Sequence, residues 1–185
     1  MRVRSLERLL TAQGVSAAKM DGITRKLRES GRLPKGGRGI NAPIIGPDEA
    51  AIILIAVAGS ARANEANVRV AKLETLLRDG KPGAHTLLEA IRSLLADPAS
   101  LDAMAQVRIA RTKRKAAFIF RDGSVEEFHT ARPDGRADRY YVEGILSAPL
   151  LKLVARAIRD DEDHLGILRE GSGPAAESSA RGDDE

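Results

Sequence analysis

Between Val15 and Ile45 basic side chains recur first at helical spacing, as Lys19, Arg25, Lys26 and Arg28, and then as Arg32, Lys35 and Arg38 in a glycine-rich run. Lysine and arginine at this density neutralise phosphates. A helix that carries them beside a hydroxyl such as Thr24 suits the major groove of duplex DNA. Met20, Ile23 and Leu27 form the apolar stripe of that helix. Thr24, Arg25 and Arg28 then share an arc facing away from the stripe and are expected to meet base edges or phosphates. Lys19, Lys26 and Arg32 add positive charge beside them. Lys35 and Arg38 are expected on the sugar-phosphate backbone, because Gly36, Gly37 and Gly39 let the chain approach it closely. A winged-helix hairpin and a minor-groove arm both fit this loop.

The bland alternative is a solvated helix face. Residues 1–40 hold ten Lys/Arg against three acids, a net +7, and no acid falls between Ser30 and Pro47, so the clustering favours a polyanion partner. The head has no aromatic residue, which argues against base stacking on single strands. A second basic cluster, Arg108, Arg111, Lys113, Arg114 and Lys115, precedes a hairpin signal. It reads equally well as a second phosphate contact or as a charged strand edge that blocks aggregation.

Signals for catalysis are few. His85, His129 and His164 are far apart in the sequence. Glu127 and His129 share one face of a strand, and the pair is expected to be surface rather than a metal site. The Gly36-Gly37-Arg38-Gly39 run lacks the spacing of a nucleotide-phosphate loop and follows a helix rather than a strand. No nucleophile elbow is present. Zero cysteines exclude disulfides and thiolate metal sites. No catalytic residue, metal or cofactor is expected, and the chain reads as a binding protein rather than an enzyme.

These side chains need elements to position them. Leu6, Leu9 and Leu10 predict a first helix stopped at Gly14, and Ser16 caps a second that ends at Ser30-Gly31. Gly22 either bends this helix or, with Asp21, makes the turn of a helix-turn-helix. Gly46-Pro47-Asp48-Glu49 opens a helix to about Ser60 that is apolar nearly all round and therefore central. A helix near 64–78 follows, then a capping box at Thr86–Glu89 and a short helix from Asp97-Pro98 to about Gln106. From there the pattern turns to strands at 107–111, 117–121, 124–128 and 139–145. Asp122-Gly123 is expected as a two-residue turn that sets Arg121 opposite Ser124 and Phe120 opposite Val125. Ser147 caps a closing helix with Leu150, Leu151, Val154 and Ile158.

The fold class expected is α+β: a helical N-terminal helix-turn-helix-like domain followed by a small antiparallel β-sheet with a closing helix. The organisation expected is a DNA-binding and oligomerisation region over 1–105, the sheet plus helix over 106–160, and an acidic, largely disordered tail over 161–185. Residues 160–185 hold nine acids and two arginines, so the tail could compete for the basic head. No apolar run approaches the roughly 20 residues needed to span a bilayer. The start lacks a signal-peptide pattern, and a cytoplasmic location without membrane contact is expected.

Leu33-Pro34-Lys35-Gly36-Gly37-Arg38-Gly39-Ile40-Asn41-Ala42-Pro43, followed by the helix start at Gly46-Pro47, resembles uncharacterised small proteins of bacterial prophages, those of alphaproteobacteria above all. The resemblance covers about the first 60 residues. It implies a mobile-element setting and a helix-turn-helix-like head, and carries no catalytic residue over. The function expected is sequence-specific binding of duplex DNA by a prophage-derived transcriptional regulator, with a homo-oligomer, a dimer first, to double the half-sites. The alternatives are a small-terminase-like packaging subunit, a metal-dependent nuclease using Glu127 and His129, and a protein–protein adaptor.

Overall fold

The computed structural model describes residues 1–35, 43–130 and 142–170, with side chains as far as residue 160. Two short helices come first, α1 (Val3–Ala12) and α2 (Ala17–Glu29). Gly14 makes the reversal between them at φ +94, a conformation that glycine adopts without strain. The Ser16 hydroxyl accepts from the Lys19 amide at 3.3 Å and so caps α2. The helix is unbroken through Asp21-Gly22. Gly22 serves instead as a close approach: a Cβ there would lie 2.7 Å from Ala63 Cβ.

The centre is α3 (Pro47–Gly59), in which every residue from Ile53 to Gly59 is buried. Its start follows the sequence signal, with Asp48 and Glu49 in the first turn and the Glu49 carboxylate accepting from the Gly46 amide at 3.0 Å. After a 3-10 turn at Ala63–Glu65 comes α4 (Ala66–Leu73). The helix expected to reach residue 78 stops short, because Leu77–Arg78 is a strand, β1, pairing with the far edge of the sheet. Thr86 and Glu89 form the anticipated capping box of α5 (Leu87–Ala96). A 3-10 turn, Pro98–Leu101, replaces the short helix, and a strand begins at Met104.

Strands β2 (Met104–Ala110), β3 (Lys115–Phe120), β4 (Val125–His129) and β5 (Glu143–Ser147) complete an antiparallel sheet of order β1-β4-β3-β2-β5. α6 (Ala148–Glu170) closes the chain. The β3–β4 register differs by one residue from the two-residue turn: Ile119 faces Val125, and the Phe120 amide donates to the Ser124 carbonyl at 3.0 Å. The loop is three residues, Arg121-Asp122-Gly123, with Gly123 at φ +87 and the Asp122 carboxylate accepting from the Ser124 amide at 2.9 Å. The shift matters because a one-residue slip exchanges the two faces of a strand.

Val107, Ile109, Ala116, Phe118, Phe128 and Leu146 point to the helices, with the Phe118 and Phe128 rings 4.8 Å apart. α3 and α6 lie on this face. The other face carries Arg108, Lys115, Ile119, Val125, Glu127 and Ile145 and is covered by no helix among the described residues, an arrangement open to antiparallel sheets. One continuous core runs from Met1 to Ile158. The expected boundary near residue 105 therefore has no counterpart in the packing: α3 of the N-terminal part is the floor on which β2 and β5 rest. No helix among the described residues is long and apolar enough to cross a membrane. Of the tail expected to be largely disordered over 161–185, residues 161–170 instead continue α6 to Glu170, and 171–185 lie outside the described residues.

Candidate nucleic-acid interface

α2 is gripped from two sides, by α1 on one and by α3 and α4 on the other. Its buried stripe is therefore wider than Met20, Ile23 and Leu27 and includes Thr24, which has no exposed surface. The Thr24 hydroxyl lies 2.8 Å from Glu7 Oε1 and 3.1 Å from the Met20 carbonyl. Arg28 Nη2 reaches the same Glu7 oxygen at 3.5 Å. Glu7 of α1 thus fastens α2 through two of the three residues expected to read DNA. Thr24 is removed from any groove, and Arg28 is half-buried with a partner.

Lys19 faces inward. Its ammonium donates to the carbonyls of Val57 at 3.2 Å and Ser60 at 3.0 Å. Arg32 bridges to α4, with Nε on Asn67 Oδ1 at 3.0 Å and its terminal nitrogens on both oxygens of Glu74. Lys26 pairs with Glu29 at 2.6 Å on the surface, where the bond holds the Glu29 carboxyl below its ordinary value. Of the basic residues singled out in the head, Arg25 and Lys35 remain exposed without an ion pair among the described residues, and Arg38 lies outside them.

Sequence reasoning passed over the basic side chains of α1. Arg4 and Arg8, one helical turn apart, are exposed and unpaired among the described residues, opposite buried Leu6 and Leu10. They border a groove of about 600 Å3 between α1 and α2, with Glu7 at its base and Asp21 on the far wall. The amphipathic spacing of Arg4 and Arg8 against the leucines was the available signal. The free charge of the head is carried by Arg2 and the α1 ridge, by Arg25 on the outer arc of α2 and by Lys35.

The second cluster also divides. Arg111 Nε donates to the Ala58 carbonyl at 3.2 Å, and Lys115 pairs with Glu127 at 2.7 Å. The Lys113 carbonyl accepts from Arg69 Nη2 at 2.9 Å. Arg114 is exposed. With Arg69 Nε on the Gly59 carbonyl at 3.2 Å, three cations from three elements collect on the last carbonyls of α3: Lys19, Arg69 and Arg111. A buried helix leaves these carbonyls without intrahelical donors, and its dipole is negative at that end, so cations there stabilise it. Burial, and then the neighbouring charge of Arg111, hold the Lys19 pKa below the ordinary lysine value. Burial likewise lowers that of Arg69.

Glu127 and His129 do share the outer face of β4. Glu127 is held by Lys115, while His129 Nδ1 lies 2.9 Å from the Thr130 carbonyl and its ring packs against Gly80. Among the described residues no group of three or more His, Asp or Glu is placed to hold a metal ion. Compared with protein families, curated proteins and solved structures, the chain matches none.

Proposed function

We propose that the α1–α2 head binds duplex DNA, and that the chain is a DNA-binding regulator from a prophage-like setting rather than an enzyme. One observation carries this: Lys19, Lys26, Arg28 and Arg32 are engaged by carboxylates or a helix end, whereas Arg2, Arg4, Arg8, Arg25 and Lys35 stay exposed and unpaired among the described residues. The two helices and their four-residue turn with Gly14 have the proportions of a helix-turn-helix. In that geometry Arg4 and Arg8 meet phosphates. Arg25 and Asp21 occupy the outer arc of α2, suited to guanine and cytosine edges respectively. Selectivity rests on these two rather than on Thr24. Anisotropy titration of a labelled duplex tests it. Arg4→Gln with Arg8→Gln is expected to weaken binding to all sequences alike, and Arg25→Ala to flatten discrimination among them. Binding unchanged in both variants would remove the head from the interface.

The bare face of the sheet supports a second copy of the chain as a further partner. Val125 and Ile145 are each more than half exposed there, at 53% and 57%, among the pairs Arg108–Glu143 and Lys115–Glu127. Equal numbers of both charges around an apolar centre suit a two-fold interface, in which one patch must complement itself. Mass measured by light scattering should give a dimer for the native chain and a monomer for Ile145→Glu.

A further inference from the structure

A cleft of about 400 Å3 opens where the α1–α2 turn, the end of α3, strand β5 and the start of α6 meet. Leu10, Val15, Val57 and Leu150 give it an apolar wall; Lys19 and Arg111 bring two positive charges. Among the described residues no acid lines it, and neither cation makes an ion pair. Among the described residues their side chains bond to neutral carbonyls: Lys19 to Val57 and Ser60, Arg111 Nε to Ala58. A lysine ammonium has three donors and a guanidinium five, so one N–H of Lys19 and the terminal amino groups of Arg111 remain. Two like charges brought together beside an apolar wall, offset only by the partial negative charge of the α3 end, are unfavourable. Burial, and then the neighbouring charge of Arg111, hold the Lys19 pKa down, and an anion seated between the two cations offsets their repulsion.

We propose that this cleft is a binding site for a small organic carboxylate, its anionic group held between Lys19 and Arg111 and its apolar body against Leu10, Val15 and Leu150. The planar fork of arginine matches two carboxylate oxygens, and the apolar wall adds contact that a bare inorganic ion cannot use. The volume lies in the range of about 300–1,000 Å3 typical of small-molecule sites. The site does not depend on whether the head binds DNA.

Calorimetric titration of the full chain with benzoate and with hexanoate tests the assignment, with benzamide as the neutral counterpart and inorganic phosphate as the plain anion. At least one carboxylate is expected to bind saturably and to shift the amide resonances of Val15, Ser16 and Gly144, while benzamide does neither. Lys19→Gln should weaken binding about tenfold, the loss of one charge-assisted hydrogen bond. Because Lys19 also caps α3, Gln13→Trp serves beside it: Gln13 is exposed at the mouth, so the bulky ring blocks entry without touching the core. Absence of saturable binding by both carboxylates to the folded chain overturns the proposal. So does binding unaffected by both substitutions, or phosphate binding as tightly as the carboxylates.

Discussion

Replacing Arg69 by methionine isolates the cationic collar on α3. The arginine makes three hydrogen bonds to carbonyls of three segments: Gly59 at 3.2 Å, Ala110 at 2.7 Å and Lys113 at 2.9 Å. It therefore ties α4 to the end of the central helix and to the β2–β3 connection. A hydrogen bond from a charged donor contributes about 1.5–3 kcal/mol when well buried. Arg69 is partly exposed, so about 1 kcal/mol each is the fitting figure, or about 3 kcal/mol in all. Methionine keeps the apolar stem, which leaves the packing against α3 largely intact. For a domain of this size the loss corresponds to a melting point lower by about 6–12 °C. Urea unfolding should show a lower midpoint at unchanged slope. Arg69→Lys keeps the charge but not the fork and should recover less than half of the loss. A change below about 0.5 kcal/mol, the size of an exposed ion pair, would mean that water satisfies these carbonyls equally well and that the collar contributes nothing.

Other outcomes follow from the same geometry. The Lys19 pKa is lowered on folding, so the unfolded chain binds more protons at this group between the folded value and the ordinary value of 10.5. Across that window the native chain should gain stability with rising pH relative to Lys19→Met, measured by urea midpoints at several pH values. Thr86→Ala should cost about 1 kcal/mol by breaking the capping box. The bonds from Thr86 hold the Glu89 carboxyl below its ordinary value of 4.5, so its contribution is present above that pH and is lost as the pH falls through the folded value. The gap between native and Thr86→Ala should therefore narrow in acid. Gly144→Ala would set a Cβ 2.1 Å from the Ala58 carbonyl oxygen, a backbone obstacle that cannot swing away, and should destabilise by about 2 kcal/mol or more in thermal melts.

Much of the architecture was legible because its signals are local. Gly46-Pro47-Asp48-Glu49, Thr86-x-x-Glu89 and the Ser16 cap each act within one turn, and each helix starts where they indicate. The hairpin was legible in kind but not in register. Asp-Gly serves both a two-residue loop and a three-residue loop ending in a left-handed glycine, and the Asp122 bonds to Ser124 select the latter. What sequence could not disclose was which cations are engaged. Their partners lie far along the chain: Glu7 is 17 residues from Thr24, Ser60 is 41 from Lys19 and Glu74 is 42 from Arg32. The outward arc of α2 was misjudged because a single apolar stripe presumes one neighbour, while this helix has neighbours on two sides. The α1 ridge escaped notice because two arginines one turn apart look like an ordinary solvated face until Lys19, Lys26, Arg28 and Arg32 prove to be engaged.

The salt dependence of duplex binding probes the exposed arginines most directly. Affinity would be measured between low and physiological salt for the native chain and for one variant with Arg4, Arg8 and Arg25 all changed to glutamine. Each phosphate neutralised contributes about −0.9 to the slope of log affinity against log salt, so the native slope should be steeper than that of the variant by about 2–3. Equal slopes, or no binding by the native chain at low salt, would contradict the assignment of this surface to DNA.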